Sequence, residues 1–507
     1  MPKVLKKCLQ VLGVVTVLLT LTALITHQSL PTHRTDGLPM SAVATDGIFA
    51  PELLAGHENQ TGIYPLADGK DAFVARIALI EGAKHTLDVQ YYILHDDVTG
   101  RLLLQYLYKA AERGVVVRLL LDDNNTKGMD KLLSSINAHP NIHIRLFNPF
   151  MQRDKRFLGY LSDFFRLNRR MHNKSLTADG MATIVGGRNI GDEYFDAGEG
   201  VMFADLDVLA VGEVVPAVNA DFQAYWQSAS AYALTDIINT DIAAFDSTPS
   251  SDNATQDYLS ALQHSQLLTQ LKSGALPVFW TKATLVSDDP IKGLGKASFK
   301  QTVMHKIAPI MQHTQSELVI VSPYFVPSKQ GTRLFSDIAT SGKSVTILTN
   351  ALSATDVAPV HAGYAKYRKE LLNAGVQLYE LKPNATVHTK DHGGAIKSSG
   401  ASLHAKSFVV DNKTIFIGSF NMDPRSAKIN TEMGLVIDSG ELAKLMTDGL
   451  KANRDNTAYQ VSLHDGDLMW QTQENGTTVS YDSEPNSGLI ERLLVMICAL
   501  LPIEWLL

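Results

Sequence analysis

The chain of 507 residues repeats one short residue pattern in both of its halves. The pattern begins with His-x-Lys, continues after four residues with an Asp, and ends after six more residues with Gly-(Gly/Ser)-x-Asn. The copies share every spacing and are His172, Lys174, Asp179, Gly186, Gly187 and Asn189, then His404, Lys406, Asp411, Gly418, Ser419 and Asn421. Two complete copies at equal spacing make coincidence negligible. The chain is therefore expected to fold as two matching halves.

The spacing inside each copy has a direct physical meaning. Positions i and i+2 of a strand face the same side, so the His and Lys of one copy point into one site. The Asp and Gly predict a tight turn into a second strand, and the Gly pair permits close backbone approach. Lys, Asn and backbone N–H groups form a cradle for an anion, and His adds a titratable nucleophile or acid. A phosphodiester fits this cradle.

Similar predicted elements surround both copies. The predicted strands cover 87–93, 115–121 and 142–147 in the first half, and 318–322, 345–348 and 376–379 in the second. Predicted helices, such as 102–113 and 364–373, lie between them. This alternation predicts an α/β class protein with an α/β sandwich in each half.

The composition along the chain predicts five segments. They are an N-terminal membrane anchor or signal over 1–30, a first half over 31–235, a linker over 236–290, a second half over 291–465, and a C-terminal segment with an apolar tail over 466–507. The linker contains a Ser/Thr/Pro-rich loop signal at 247–252. The polar, Gly/Ser-rich stretch 382–402 precedes the second copy and is either an entrance loop or a plain surface insertion.

The N-terminus predicts contact with a membrane. Lys3, Lys6 and Lys7 precede an uncharged run over 8–26, which as a helix is roughly 28 Å long, about one bilayer core. The Ala-x-Ala pattern at 42–44 lies far beyond this run, which favours an uncleaved anchor over a cleaved signal peptide. The positive-inside rule then predicts a bacterial inner-membrane protein with its catalytic body on the periplasmic side, and export after cleavage is the alternative.

Two other stretches rich in apolar residues each allow more than one interpretation. Segment 153–174 mixes seven cations with aromatic and aliphatic residues, which suits an anionic lipid surface, simple packing of an amphipathic helix, or a nucleic-acid backbone. The net charge of −7 gives no support to a bulk nucleic-acid binder. The apolar run 489–501 is too short to span a bilayer and predicts an interfacial helix or a docked core helix.

The residues around the two copies resemble the phospholipase D superfamily, whose signature is the duplicated pattern itself. The runs 169–174 and 187–195, the run Leu121-Asp122-Asp123-Asn124 and the ending 501–505 are similar to bacterial cardiolipin synthases and their secreted phospholipase D relatives. The resemblance covers roughly residues 60–507. It implies two pseudo-symmetric phospholipase D-type sandwiches that pack together.

The resemblance also implies a mechanism through a phosphohistidine intermediate. One histidine attacks phosphorus, and the other first protonates the leaving alcohol and then activates the acceptor hydroxyl. The implied catalytic residues are His172, His404, Lys174, Lys406, Asp179, Asp411, Asp205 and Glu432. Lys174, Lys406, Asn189 and Asn421 would hold the phosphoryl oxygens. No metal and no other cofactor is expected, and the only cysteines, Cys8 and Cys498, lie in the apolar ends.

In the resembled family each histidine is oriented by a carboxylate on a later strand. We match Glu432 to the second half, and for the first half we choose Asp205 over Asp207. Asp205 is therefore expected to orient His172, and Glu432 is expected to orient His404.

The resemblance favours His172 as the nucleophile and His404 as the acid and base. Arg169 and Arg170 are expected to lower the pKa of His172, and Glu432 is expected to raise that of His404.

These features predict an enzyme that moves a phosphatidyl group between glycerophospholipids, as in cardiolipin synthesis. Its expected partners are the bilayer, a phospholipid donor and an alcohol acceptor. The first alternative is a phospholipase D that hydrolyses phospholipids to phosphatidate with water as the acceptor. A nuclease-type phosphodiesterase is a second alternative, and a silent membrane scaffold does not explain two complete motifs.

Overall fold

The chain is described by a computed structural model that covers residues 13–14, 16–17, 20–25, 27–32, 34–35, 38–39, 46–49, 54–196, 202–355, 357–383, 385–387, 398–474 and 476–507. Residues 1–12 of the predicted anchor or signal lie outside this set, and residues 20–25 are helical. Within the described residues, no helix combines the length and apolar character needed to cross a bilayer. Residues 388–397 of the predicted entrance loop also lie outside the described set.

The strands follow the duplicated order that the sequence predicts. The first nine are β1 Thr61–Leu66, β2 Thr86–Tyr91, β3 Val116–Asp122, β4 Ile142–Phe147, β5 Ser175–Ala178, β6 Ala182–Gly186, β7 Met202–Ala204, β8 Asp207–Gly212 and β9 Ala231–Ala233. The others are β10 Phe279–Ser287, β11 Glu317–Val321, β12 Ser344–Asn350, β13 Gln377–Leu381, β14 Ala385–Val387, β15 Ser398–Leu403, β16 Ser407–Val410, β17 Thr414–Gly418, β18 Met433–Asp438, β19 Ala458–His464, β20 Asp467–Glu474 and β21 Thr477–Tyr481.

Helices occupy the connections between these strands. Their bounds are Gly69–Gly82, Val98–Glu112, Asp130–Asn137, Arg156–Leu167, Val215–Trp226, Leu234–Ile237, Asn253–His264, Leu267–Ser273, Val303–Gln312, Ser328–Thr340, Ala358–Ala365, Arg368–Asn373, Pro424–Lys428, Gly440–Thr457 and Leu489–Leu500. Helix Val98–Glu112 shows why they form where they do: Asp97 accepts a hydrogen bond from the N–H of Gly100 at its start, and Gly114, with φ 98°, ends it. The β-branched run that follows becomes the buried strand β3.

Both halves build the same sheet. The first sheet runs β1–β8–β6–β5–β2–β3–β4–β9, and the second runs β10–β18–β17–β16–β11–β12–β13–β19, with β20 and β21 added at its edge. In each sheet three central strands are parallel, which are β2, β3 and β4 in one and β11, β12 and β13 in the other. This repetition confirms the prediction of a mixed α/β fold with two repeated domains.

The two sheets join edge to edge and face to face. β1 pairs antiparallel with β10, with Ile63 opposite Phe279. A buried apolar layer also contains residues of both halves, such as Val185 and Val208 with Val319 and Ile417. Burial of this shared layer holds the halves together, so that the motif of each half meets the other half.

Two predicted boundaries differ from the structure. β10 lies inside the stretch 236–290 that we predicted as a linker, yet it pairs with β18 as an integral strand of the second sheet. β20 and β21 lie beyond residue 465 and still extend that sheet. Strand pairing decides that β10, β20 and β21 belong to the second sheet, and the local composition of the chain does not reveal that pairing.

Candidate active site

The two motif histidines occupy equivalent places at the starts of strands. Lys174 immediately precedes β5, and Lys406 immediately precedes β16. Each strand then turns through the motif aspartate into its antiparallel partner, β6 or β17. Because both sheets have the same order, the two His-x-Lys segments emerge at corresponding positions.

Short parallel bridges carry each motif across to the opposite half. Met171 bridges Thr431, and the N–H of His172 donates to the Thr431 carbonyl at 2.9 Å. In the same way β15 pairs with β7, with Leu403 opposite Ala204, and the N–H of His404 donates to the Ala204 carbonyl at 2.8 Å. Each histidine therefore lies beside the residue that follows Thr431 or Ala204, and these residues are the two carboxylates.

The carboxylates are exchanged between the halves. His172 Nδ1 lies 2.8 Å from Oε2 of Glu432, and His404 Nδ1 is hydrogen-bonded to Oδ2 of Asp205. Our pairing of each histidine with the carboxylate of its own half was therefore wrong. The choice of Asp205 over Asp207 agrees with the structure, because Asp207 is bonded to Arg76 and Arg188 instead. The bridges explain the exchange, since they join each histidine to the other half.

The second small residue of each motif is matched to its carboxylate. A Cβ atom at Gly187 would overlap the carboxylate of Asp205, so glycine is needed for this close approach. In the second half, Ser419 Oγ donates to Oε2 of Glu432, and the Ser419 carbonyl lies 3.1 Å from His172 Nδ1. The Gly/Ser variation therefore accompanies an Asp in one half and a Glu in the other.

Each lysine lies beside the histidine of its own motif and brings positive charge into the site. Lys174 Nζ donates to the carbonyl of His172 at 2.7 Å, and Lys406 Nζ lies 3.1 Å from Nε2 of His404. Each lysine also acts electrostatically on the histidine of the other motif. The two motifs therefore form one buried site.

The predicted asparagines supply polar groups at its floor. Oδ1 of Asn189 accepts the N–H of Ile93 at 3.3 Å. Asn189 and Asn421 each keep one buried side-chain amide atom outside any hydrogen bond formed among the described residues. Buried polar atoms of this kind call for a partner: a phosphoryl oxygen suits the free Nδ2 donor of Asn189, whereas the free atom of Asn421 is the acceptor Oδ1, which suits a donor such as a substrate hydroxyl.

Burial favours the neutral form of both histidines. It lowers the pKa of His172 to about 4, since Glu432 offsets only part of the burial penalty. Burial and Lys406 also lower the pKa of His404, against the opposing effect of Asp205. The expected rise in the pKa of His404 was therefore wrong, and Glu432 is not its partner.

The expected influence of Arg169 and Arg170 on His172 is likewise not what the structure shows. Arg170 pairs with Asp122 at 3.1 Å, and Arg169 donates to the carbonyl of Phe165. The cations that lower the pKa of His172 are Lys174 and Lys406.

The charged neighbours of the histidines shift as well. Burial and the charge of Lys406 lower the pKa of Lys174 to about 7. Burial alone would raise the pKa of Asp205 and of Glu432, but the adjacent histidines and lysines outweigh it and hold both carboxyls below their ordinary values. Both carboxylates therefore remain ionised at neutral pH.

The motif aspartates, which we predicted as catalytic, lie at the far ends of their strands. Asp179 accepts hydrogen bonds from the N–H groups of residues 84–86 at 2.8–3.2 Å. Asp411 accepts in the same way from residues 315–317 at 2.7–3.1 Å. Both adopt a positive φ of 54° in the turn. They fasten the start of β2 and β11 and do not contact either histidine.

Sequence reasoning missed one pair of residues that positions the motifs. Asp122 ends β3 and accepts the N–H of Met171 at 2.7 Å, and Asn350 ends the equivalent strand β12 and accepts the N–H of Leu403 at 2.9 Å. Each therefore holds the residue before a motif histidine. The signal in the sequence was the polar residue at the end of each equivalent buried strand.

A second missed pair is aromatic. The ring of Tyr92 meets that of His172 edge to face with 5.0 Å between centroids, and the ring of Tyr194 meets that of His404 at 5.1 Å. Such contacts restrict rotation of the imidazoles.

One group of potential metal ligands lies near Tyr194. His95, Asp97 and Glu193 have ligand atoms within 4.8 Å of one another, and His95 Nδ1 lies 3.3 Å from Oε1 of Glu193. Glu193 raises the pKa of His95, as expected for an ion pair. This ion-paired cluster lies beside the second motif, since His404 acts electrostatically on Glu193. Metal independence stays a prediction.

Similarity to known proteins identifies the family of this chain. A family model described as cardiolipin synthase, PLD-like domain, matches residues 77–226 and 307–453. Cardiolipin synthase C of Escherichia coli strain K12 is 47% identical over 466 residues, which cover 90% of this chain and 98% of the relative. A cardiolipin synthase of Staphylococcus aureus strain Mu50 is 26% identical over 399 residues, covering 76% of this chain and 65% of the relative.

A solved structure has the same overall fold. The crystal structure of phosphatidylserine synthase from Haemophilus influenzae Rd KW20 matches with a TM-score of 0.55 at 15% identity, covering 90% of this chain and 99% of the other. At this identity the likeness concerns the fold alone. The family match and the 47% identical relative go further: the chain belongs to the cardiolipin synthase family of phospholipase D-like proteins.

Proposed function

We propose that this enzyme transfers a phosphatidyl group from one glycerophospholipid to the headgroup hydroxyl of another and so forms cardiolipin. The observation that carries the proposal is the pair of buried histidines, each held by a carboxylate of the opposite half and facing a shared pair of lysines. A nucleophile and an acid–base group in one anion-binding site suit transfer through a covalent intermediate. The 47% identity to cardiolipin synthase C supports the same reaction.

In the first step, Nε2 of His172 attacks the phosphorus atom of the donor lipid. Glu432 accepts the Nδ1–H of His172, which leaves the lone pair on Nε2, and a pKa of about 4 keeps it unprotonated at neutral pH. A P–N bond forms, and the bond from phosphorus to the headgroup oxygen breaks. His404 enters this step protonated, with a proton taken up from solvent and the charged ring stabilised by Asp205; it gives its Nε2 proton to that oxygen and is left neutral.

In the second step, the neutral His404 removes the proton from the acceptor hydroxyl. The acceptor oxygen attacks phosphorus, the P–N bond breaks, and His172 regains its lone pair. Lys174, Lys406, Asn189 and Asn421 hold the phosphoryl oxygens through both steps. The same residues would serve water as the acceptor, so the choice between synthesis and hydrolysis is made by what reaches His404.

The test is lipid extraction from a host that lacks cardiolipin, with and without this chain. Cardiolipin is expected only with the active chain, and a His404→Ala variant expressed at the same level is the control. Accumulation of phosphatidate without cardiolipin would favour the hydrolase instead.

We also propose that residues 1–30 hold the enzyme at a bacterial inner membrane, with the body on the periplasmic side. Lys3, Lys6 and Lys7 before the apolar run support this orientation. Mass spectrometry of the mature N-terminus tests it. An intact N-terminus is expected, and a start near Thr45 would instead indicate cleavage and export.

A further inference from the structure

Exposed large apolar residues concentrate in two segments of the folded body. Outside the N-terminal region, the described residues of this kind lie in helix Arg156–Leu167 and from Leu489 to the C-terminus, apart from Ile242, Ile291 and Phe299. Large apolar side chains clustered in this way mark an interaction surface.

The exposed residues of helix Arg156–Leu167 are all apolar. They are Phe157 and Phe165, 65% and 69% exposed, with Leu161 and Phe164, and the backbone is kinked at Asp163 between Leu161 and Phe164. The helix is buried through Arg156, Gly159 and Leu167. The helix is therefore fixed to the body and presents phenyl rings outward.

The cations of the surrounding segment are turned inward. Arg153, Arg156, Arg166 and Arg170 are each paired with an aspartate of this region. Lys174 lies in the active site, and Lys155 is exposed. Most of the positive charges that would bind a nucleic-acid backbone or anionic headgroups are therefore already paired. The surface that this segment exposes is apolar.

The C-terminal helix has the same character. Leu489–Leu500 packs on the body through Val495, Cys498 and Ala499, which contact Leu352 and Ala362. Its outward residues include Leu489, Ile490, Leu493, Met496 and Leu500, and Trp505 follows, 49% exposed. The helix is docked along one narrow stripe and is apolar over most of its remaining surface.

Arg425 ties these two segments together beside the active site. Its Nη2 donates to Oδ1 of Asn168 at the end of the first helix at 2.7 Å, and its Nε donates to the carbonyl of Leu506 at 2.9 Å. Arg425 also acts electrostatically on Tyr92, whose ring contacts His172. The two apolar helices are thus joined next to the catalytic site.

We infer that helix Arg156–Leu167 and the segment Leu489–Trp505 form one docking surface that inserts into the interfacial region of a phospholipid bilayer. The inference rests on the proposed function, because the active site beside this surface would draw lipids directly from the bilayer. Fixed helices with outward Phe, Leu and Trp and few free cations suit insertion by burial of apolar area, with little dependence on anionic headgroups.

The test uses the full chain in phosphatidylglycerol/phosphatidylethanolamine liposomes, with Cys8 and Cys498 replaced by Ser. Single spin labels are placed at Phe157→Cys, Phe165→Cys or Leu493→Cys. The control is Asp467→Cys at the start of β20, where the aspartate side chain is 94% exposed. The three surface labels are expected to be accessible to oxygen and shielded from an aqueous nickel chelate, and the control is expected to show the reverse.

Two results would overturn the docking surface. If labels on either helix are as accessible to the nickel chelate as the label at Asp467, that helix lies in water. Shielding from both reagents together with spin–spin broadening would indicate contact between protein chains. The label depth is expected to be unchanged in 1 M salt, where the Debye length is about 3 Å. A salt-dependent loss of depth would overturn the apolar mode of binding.

Activity separates this surface from the proposed reaction. A Phe157→Ser/Phe165→Ser variant is expected to lose at least about tenfold in turnover of bilayer lipid, since each buried Phe contributes about one decade or more of partitioning. Turnover of a dispersed short-chain phospholipid is expected to stay within about twofold, and an equal loss on both substrates would contradict the inference. The inactive His172→Ala chain is expected to give the same label depths, so failure of the reaction leaves the depth result interpretable.

Discussion

Oε2 of Glu432 lies 2.8 Å from Nδ1 of His172, although 260 positions separate the two residues and they belong to opposite halves. Asp205 holds His404 across the same boundary. Neither half therefore contains a complete histidine–carboxylate pair, and each half completes the site of the other. This exchange makes correct packing of the two halves a condition for catalysis.

The exchanged pairing predicts which histidine each carboxylate supports: Glu432 supports attack by His172, and Asp205 supports the proton transfers of His404 in both steps. Glu432→Gln is expected to slow formation of the covalent intermediate on His172, and Asp205→Asn is expected to slow protonation of the leaving group and activation of the acceptor by His404. Losses of about 10²- to 10⁴-fold in turnover are expected for each. Acid-quenched, single-turnover peptide mapping measures the adduct. A larger adduct yield in Glu432→Gln than in Asp205→Asn would reverse the assignment.

Both histidines are expected to be essential. His172→Ala and His404→Ala should each abolish turnover, and the double variant should be no worse than either single one because the two groups act in one reaction. Steady-state assays with matched amounts of folded protein provide the comparison. Near-normal activity in either single variant would rule out the two-histidine mechanism, and an adduct on His404 alone would exchange the roles.

The motif aspartates are expected to act on stability. Asp179→Asn and Asp411→Asn remove the charge of the acceptor that holds the N–H groups at the starts of β2 and β11. Each substitution is expected to lower the free energy of unfolding by about 1 to 3 kcal/mol. Thermal denaturation should show a lower Tm, while turnover per folded molecule at low temperature is retained. Loss of turnover with an unchanged Tm would indicate a chemical role.

Lys174 is expected to limit phosphate binding at alkaline pH. Burial and Lys406 lower the pKa of Lys174 to about 7 in the free enzyme, so its charge is present below this pH and lost as the pH rises through it. The ratio kcat/KM should therefore fall as the pH rises above about 7. Lys174→Arg keeps its charge and should lack this decline, even where its maximal activity is lower. The same decline in both proteins would assign it to another group.

Activity is expected to be independent of metal ions. Lys174 and Lys406 supply the positive charge of the site, and His95 already forms an ion pair with Glu193 in the neighbouring cluster. Excess EDTA should leave turnover unchanged, and Glu193→Gln should respond to EDTA like the parent chain. Loss of activity that a divalent ion restores would contradict this account.

The sequence by itself determined the chemistry and the duplication. Strand and helix patterns around His172 and His404 predicted two equivalent α/β halves, because alternating apolar segments report local structure and the motif spacing reports a turn between two strands. The choice of Asp205 and Glu432 came from the resemblance to phospholipase D proteins, in which a carboxylate on a later strand orients each histidine.

Only the tertiary structure decided which groups meet. The exchange of Asp205 and Glu432 depends on the bridges from Thr431 to Met171 and from Ala204 to Leu403. The low pKa of His172 depends on burial between the halves, which adjacent arginines in the sequence did not indicate. Spacing is a property of one segment of chain, whereas hydrogen bonding and burial arise from segments hundreds of residues apart that share one apolar layer.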